Sequence, residues 1–175
     1  MFLSLSTLGL AASLAGVTLP DTAAVSGQPV RLNGLGLREK YLVDVYVGGL
    51  YLTNPTGDAA AAIAADEPKR MVMHFVYRAV SRERMHAVFL EGFGSTATGP
   101  QSAKVKRMGE WVPAEGVKRG DELAFDYVPG VGTSMTLNGR TLGTIEGADF
   151  MKLVFGIYLG PNPPTAALKE GLLGR

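Results

Sequence analysis

The chain has 175 residues, 46% hydrophobic and 19% charged, which fits one globular domain with a substantial core and excludes a disordered chain. A net charge of +1 supplies no strong field toward nucleic acid or an anionic membrane. The absence of cysteine removes disulfides, thiol nucleophiles and iron–sulfur clusters together, and the two histidines, His74 and His86, have no carboxylates at ligand spacing, so no metal and no cofactor is expected.

In chain order, Phe2 to Ala15 is apolar or small, and the first charged side chain is Asp21. Ser13-Leu14-Ala15 before Gly16 has the small-x-small pattern that signal peptidase accepts. No Lys or Arg precedes the run, so its positive charge comes from the α-amino group or from residues upstream. This reading divides the chain into an export segment over 1–15 and a single domain over 16–175, delivered to the periplasm or secreted. With its Ser, Thr and Gly the segment is a poor membrane span, which needs ~20 strongly apolar residues, and no second candidate follows.

Val17 to Leu19 and Val30 to Leu32 read as short strands around the turn signal Ser26-Gly27-Gln28-Pro29. Tyr41 to Leu52 is the strongest strand, with apolar odd positions and a more polar even face that includes Asp44 and Tyr46. Residues 58–66 read as an alanine-rich helix and 71–76 as a strand. Ser81 is an N-cap for a helix that buries Met85, Val88, Phe89 and Phe93, and Arg84 stands where a capping box wants Glu or Gln. The chain breaks between Gly94 and Pro100, and the basic residues Lys104, Lys106, Arg107, Lys118 and Arg119 read as a solvated face, not a nucleic-acid patch. Strands follow over 122–128 and 134–137, and Asn138-Gly139 is a hairpin signal into 140–145. Phe150 to Tyr158 carries a second apolar helical stripe, stopped at Gly160-Pro161, and a last short helix holds Leu168 and Leu172. The sum is an α+β arrangement, a mostly antiparallel sheet with helices against one face.

Catalytic motifs are scarce. Gly34-Leu35-Gly36 resembles half a phosphate loop, but a strand follows where a phosphate cradle needs a helix N-terminus. No G-x-S-x-G is present, and no paired carboxylates share a face. What remains is Arg38, a permanent cation, with Tyr46 further along and Gly48-Gly49 stripping side chains from mid-strand to make room against the sheet. Arg with Tyr can clamp a carboxylate whose tail is apolar. The alternative is a turn arginine paired with an acid and a sheet tyrosine with a wet hydroxyl. Eight residues of straight strand span roughly 26 Å, so a shared site requires a turn or bulge between Glu39 and Asp44.

At these residues the chain resembles a known family. The string LNGLGLREKYLVDVYVGGLYL over 32–52, the run ADFMKLVFGIYLG over 148–160 and the tail ALKEGLLG are similar to the chalcone isomerase-like family. The resemblance implies an open-faced β-sandwich, a large antiparallel sheet carrying a layer of helices with an apolar cleft between them. Some members cyclise chalcones and others hold a fatty acid through an Arg and a Tyr, whereas bacterial relatives have no settled role. Arg38 matches the family arginine, and Tyr46 stands where the isomerases carry a catalytic threonine, in the Val-Tyr-small-small context of the fatty-acid binders. Val80 occupies the isomerase tyrosine position, with Tyr77 three residues away. Residues 84–87 offer no asparagine, and Ile157 replaces a late hydroxyl residue.

The resemblance and the residues together predict a non-catalytic binder of a small amphipathic carboxylate such as a fatty acid, with Arg38 and Tyr46 as ligand-binding residues, no nucleic acid and no named protein partner. Two alternatives stand beside it. One is a structural or partner-binding domain whose Phe89, Phe93, Phe150 and Tyr158 fill the space above the sheet. The other is an isomerase-type enzyme, an intramolecular lyase of unknown substrate. Chalcone cyclisation needs a phenolate held near an enone whose oxyanion is polarised by Tyr or Thr through water, and these positions are mostly replaced. The protein is therefore expected not to convert naringenin chalcone above the spontaneous rate, as read by absorbance loss; faster conversion refutes this.

Overall fold

Backbone pairing organises almost the whole chain. The computed structural model describes residues 11–94 and 98–175. The strands are β1 Ala11–Leu14, β2 Val17–Pro20, β3 Thr22–Val25, β4 Gln28–Lys40, β5 Val43–Leu52, β6 Lys69–Phe75, β7 Ala79–Val80, β8 Val117–Lys118, β9 Glu122–Val128, β10 Gly132–Leu137 and β11 Arg140–Ile145. The helices are α1 Ala59–Ala64, α2 Arg82–Phe93, α3 Ser102–Glu110, α4 Ala148–Leu159 and α5 Ala166–Leu172. Seven strands make one antiparallel sheet in the order β11-β10-β9-β6-β5-β4-β3, while β1 pairs with β2 and β7 with β8. This is the expected α+β architecture.

The sheet is covered on both faces. On one side Leu50, Leu52, Met71, Met73 and Phe125 meet the helical residues Phe89, Phe93, Phe150, Val154 and Leu168. On the other, Val47, Tyr51, Val72 and Ala124 pack with Val17 and Leu19 of β2 and with Val25 and Val30. The Tyr51 hydroxyl donates to the Pro20 carbonyl at 2.8 Å, tying β2 to β5. A strand covered on both faces loses its polar alternation, which corrects the expected polar even face of β5. Its even positions Tyr46, Leu50 and Leu52 belong to the helix-side core, and Asp44, next to the turn, is exposed.

Three further departures from the sequence reading have physical causes. The strand expected over 30–32 runs on through both glycines to Lys40, because pairing with β5 satisfies its backbone. Tyr41 and Leu42 leave the expected strand and form the turn between β4 and β5. Helix α3 forms where only a basic cluster stood out; it buries Val105 and Met108 and leaves Lys106 and Arg107 exposed, an amphipathic segment with the charges in water. Of the expected export segment, residues 1–10 lie outside the described residues, and Ala11–Leu14 form β1, with Ser13 and Thr18 hydroxyls 2.7 Å apart across the hairpin.

Local signals explain the helix boundaries. Asp58 caps α1 by accepting from Ala60 and Ala61, Ser81 caps α2 by accepting from the Arg84 amide, and Thr165 caps α5 through Leu168. Asn138 and Gly139 adopt φ of 50° and 78° in the expected two-residue hairpin. Lys69 is fully buried, donates to the Ala62 carbonyl at 2.6 Å and lies over the Phe155 ring, and burial pushes its amine down to about 8.

Glycines let α5 lie directly on β4. A Cβ at Gly36 would sit 2.3 Å from the Leu168 carbonyl oxygen, and one at Gly34 would sit 2.2 Å from that of Gly171. Gly36→Ala is therefore expected to lift α5 and cost about 2–3 kcal/mol. Gly156→Ala, inside α4 with open space around it, is expected to gain about 0.5–1 kcal/mol. Urea denaturation of the two variants checks the contrast.

Candidate functional site

Arg38 and Tyr46 stand directly opposite one another in the β4–β5 ladder. Two features bring them together. The chain reverses at Tyr41-Leu42, and the register shifts between Arg38 and Glu39. This is the turn and bulge that a shared site required. Tyr46 in turn pairs with Phe75 of β6, their rings edge-on with centroids 5.6 Å apart, so Arg38, Tyr46 and Phe75 form a row across three strands.

That row is part of the floor of a cavity of about 510 Å³ between sheet and helices, within the ~300–1,000 Å³ of small-molecule sites. Met73 extends the floor, and Met85, Val88 and Phe89 of α2 with Ile157 and Tyr158 of α4 form the roof. Asn162, Pro163 and Pro164 close one side. The two roof helices cross at Gly92, where a Cβ would meet the Ile157 side chain at 2.8 Å.

Electrostatics divides the cavity into a cationic end and an apolar body. Arg38 is half-buried, and its guanidinium donates to the Glu39 carbonyl. Lys40 and Arg84 also line the cavity, against one lining carboxylate, Glu91. Burial drives the Tyr46 phenol well above its ordinary range, with the Arg38 charge pulling back only part of the rise. Tyr158 is pushed up by burial too, and its hydroxyl donates to the Met73 sulfur at 3.4 Å. Both phenols stay protonated at neutral pH, and Tyr46 is a hydrogen-bond donor beside a fixed cation.

Phe89, Phe93, Phe150 and Tyr158 are all buried, and Phe93 stacks on Phe150 at 6.0 Å. They fill the middle of the helix–sheet interface but not the hairpin end, where Phe89 and Tyr158 become cavity wall. Of the positions set against the isomerase residues, Arg38, Tyr46, Val80 and Ile157 line this same cavity, as do Arg84 and Met85 of the 84–87 stretch that offers no asparagine. Gly48-Gly49 does not make the ligand space. A Cβ at Gly48 would meet Leu168 of α5 at 3.1 Å, and one at Gly49 would meet Leu19 at 2.5 Å, so the room they leave is taken by α5 and β2.

Sequence reasoning missed Lys40, Arg84 and Tyr158 as cavity residues. Arg84 carried a signal, a cation at a capping-box position that wants an acceptor, whereas Tyr158 was hidden in an apolar stripe. His74 Nδ1 lies 3.1 Å from Glu122 Oε1, His86 packs against Gly109, and among the described residues no three His, Asp or Glu are grouped to hold a metal.

A family model described as chalcone isomerase-like matches residues 11–174. A search of curated proteins finds no match. Among solved structures, a fatty-acid binding protein of Arabidopsis thaliana is similar in fold, with a TM-score of 0.74 at 17% sequence identity over 94% of this chain and 96% of that one.

Proposed function

The chain belongs to the chalcone isomerase-like family, and from its cavity we propose that the protein binds a small amphipathic carboxylate, such as a fatty acid, without transforming it. The observation that carries this reading is the pairing of Arg38 with Tyr46 at the cationic end of an otherwise apolar cavity. Arg38 meets the carboxylate and Tyr46 donates a hydrogen bond to it. Lys40 and Arg84 add positive potential, and the tail lies over Met73 and Phe75 under the α2–α4 roof. The solved relative from Arabidopsis thaliana binds a fatty acid by its name, which supports the ligand class.

The same wall argues against isomerase chemistry. Val80 and Ile157 put aliphatic groups where a cyclase needs hydroxyls, so a bound enone would have Tyr46 and cations near it but no built path for orienting a phenolate.

A charge-assisted contact in a half-buried site contributes about 1.5–3 kcal/mol, so Arg38→Ala is expected to weaken fatty-acid binding about ten- to a hundred-fold. Native mass spectrometry of protein purified from its host, followed by titration with a long-chain fatty acid, checks this. Empty wild-type protein that takes up no fatty acid, or equal affinity in Arg38→Ala, overturns the reading. Export to the periplasm or outside the cell belongs to the same proposal, supported by the uncharged, small-residue-rich run from Phe2. N-terminal sequencing of the mature protein is expected to begin after Met1 and within or beyond that run, and an intact Met1 refutes cleavage.

A further inference from the structure

Among the described residues, four chain reversals use a two-residue loop with left-handed φ at both positions. They are Ala15-Gly16 (48°, 79°), Ser26-Gly27 (49°, 78°), Asn138-Gly139 (50°, 78°) and Tyr41-Leu42 (51°, 62°). Glycine adopts this conformation freely and other L-residues at a cost, which is why such loops favour Asn-Gly. Three of the four carry glycine at the second position. The fourth carries leucine after tyrosine, with Tyr41 88% and Leu42 91% exposed, and the Lys40 ammonium lies 5.7 Å over the Tyr41 ring, a weak cation–π contact at the surface. Left-handed φ in an exposed apolar pair is the kind of local violation that function retains.

The pair sits at the mouth of the cavity. Of the seven exposed large hydrophobic residues among those described, Tyr41, Val43, Tyr77 and Val88 line the cavity, and Leu42 lies between the first two in the chain. Charge is segregated there as well. Arg38 and Lys40 of the hairpin line the cavity together with Arg84 and one carboxylate, Glu91, whereas Glu39 and Asp44 pair with each other across the ladder and do not line it. The lining thus carries three cations against one carboxylate, with the exposed Glu39 and Asp44 standing outside it. A small protruding apolar tip beside cations suits the interface of an anionic bilayer, where side chains enter the headgroup layer and Lys and Arg meet lipid phosphates.

We infer that the Tyr41-Leu42 tip docks the protein onto anionic membrane surfaces, turning the cavity mouth toward the lipid from which an amphipathic ligand enters or to which it is delivered. No described helix is long and apolar enough to cross a membrane, and the contact is peripheral. It goes beyond the carrier reading and does not require the cavity to hold a fatty acid.

Sedimentation with sucrose-loaded vesicles tests it, using mixed phosphatidylcholine–phosphatidylglycerol vesicles and pure phosphatidylcholine vesicles. The wild-type protein is expected to sediment with the mixed vesicles, less with the pure ones, and less as salt rises. Leu42→Gly removes the apolar side chain and relieves the strained φ. It is expected to lower vesicle partitioning about ten-fold while raising the denaturation midpoint, so the loss cannot come from unfolding. Leu42→Trp is expected to bind at least as well as wild type and to shift its emission to the blue on mixed vesicles. Wild-type protein that ignores the mixed vesicles, or equal binding by Leu42→Gly, overturns the inference. Fatty-acid titration without vesicles separates the two readings, because Leu42 does not line the cavity: lost titration with retained docking sinks the carrier alone, and lost docking with retained titration sinks the docking alone.

Discussion

The ladder between β4 and β5 carries most of what is distinctive here. Along one stretch, at Gly34, Gly36, Gly48 and Gly49, it has no side chains, so the backbone of α5 and the side chain of Leu19 can approach it closely. At its far end it carries Arg38 and Tyr46 as direct neighbours. The first stretch anchors the C-terminal helix on the sheet, and the second is left clear of α5 and becomes the floor of a cavity. Of its two register shifts, the one between Arg38 and Glu39 lies beside that floor.

The hollow exists because the aromatic filling stops short of it. Phe93 and Phe150 close the interface deeper in, and Phe89 and Tyr158 reach its edge. Gly92 lets α2 and α4 cross closely at Ile157, so the roof is thin but continuous. Within this envelope Val80 and Ile157 line the wall. Both are aliphatic, and Arg84 adds a cation to the lining.

Tyr46 shows how burial and charge divide the work. Desolvation keeps its phenol neutral, and the neighbouring guanidinium only partly opposes that. A neutral donor beside a fixed cation can complete the hydrogen bonding of a carboxylate without adding a second charge to the cavity. The hairpin that presents this pair ends in two strained, exposed apolar residues, so the elements that would hold a ligand and those that would meet a lipid surface belong to one short stretch, residues 38–46.

Much of the architecture was legible in the sequence. Capping by Ser81, the Asn138-Gly139 hairpin, and the stripes over 85–93 and 150–158 are local signals, governed by residues a few positions apart, and each formed as expected except at Val88, which was expected to be buried and instead stands 43% exposed at the cavity wall. The family string over 32–52 also pointed to Arg38 and Tyr46 as residues to watch. The tertiary structure alone decided that they are neighbours, since a turn at Tyr41-Leu42 breaks the rules by which turns are read. It also decided that Gly48 and Gly49 make room for α5 and β2 and not for a ligand, and that Arg84 and Tyr158 face the same hollow. Periodicity reports what each segment buries, but not which distant segment comes to lie against it, and a cavity is made of segments that meet only after the chain has folded.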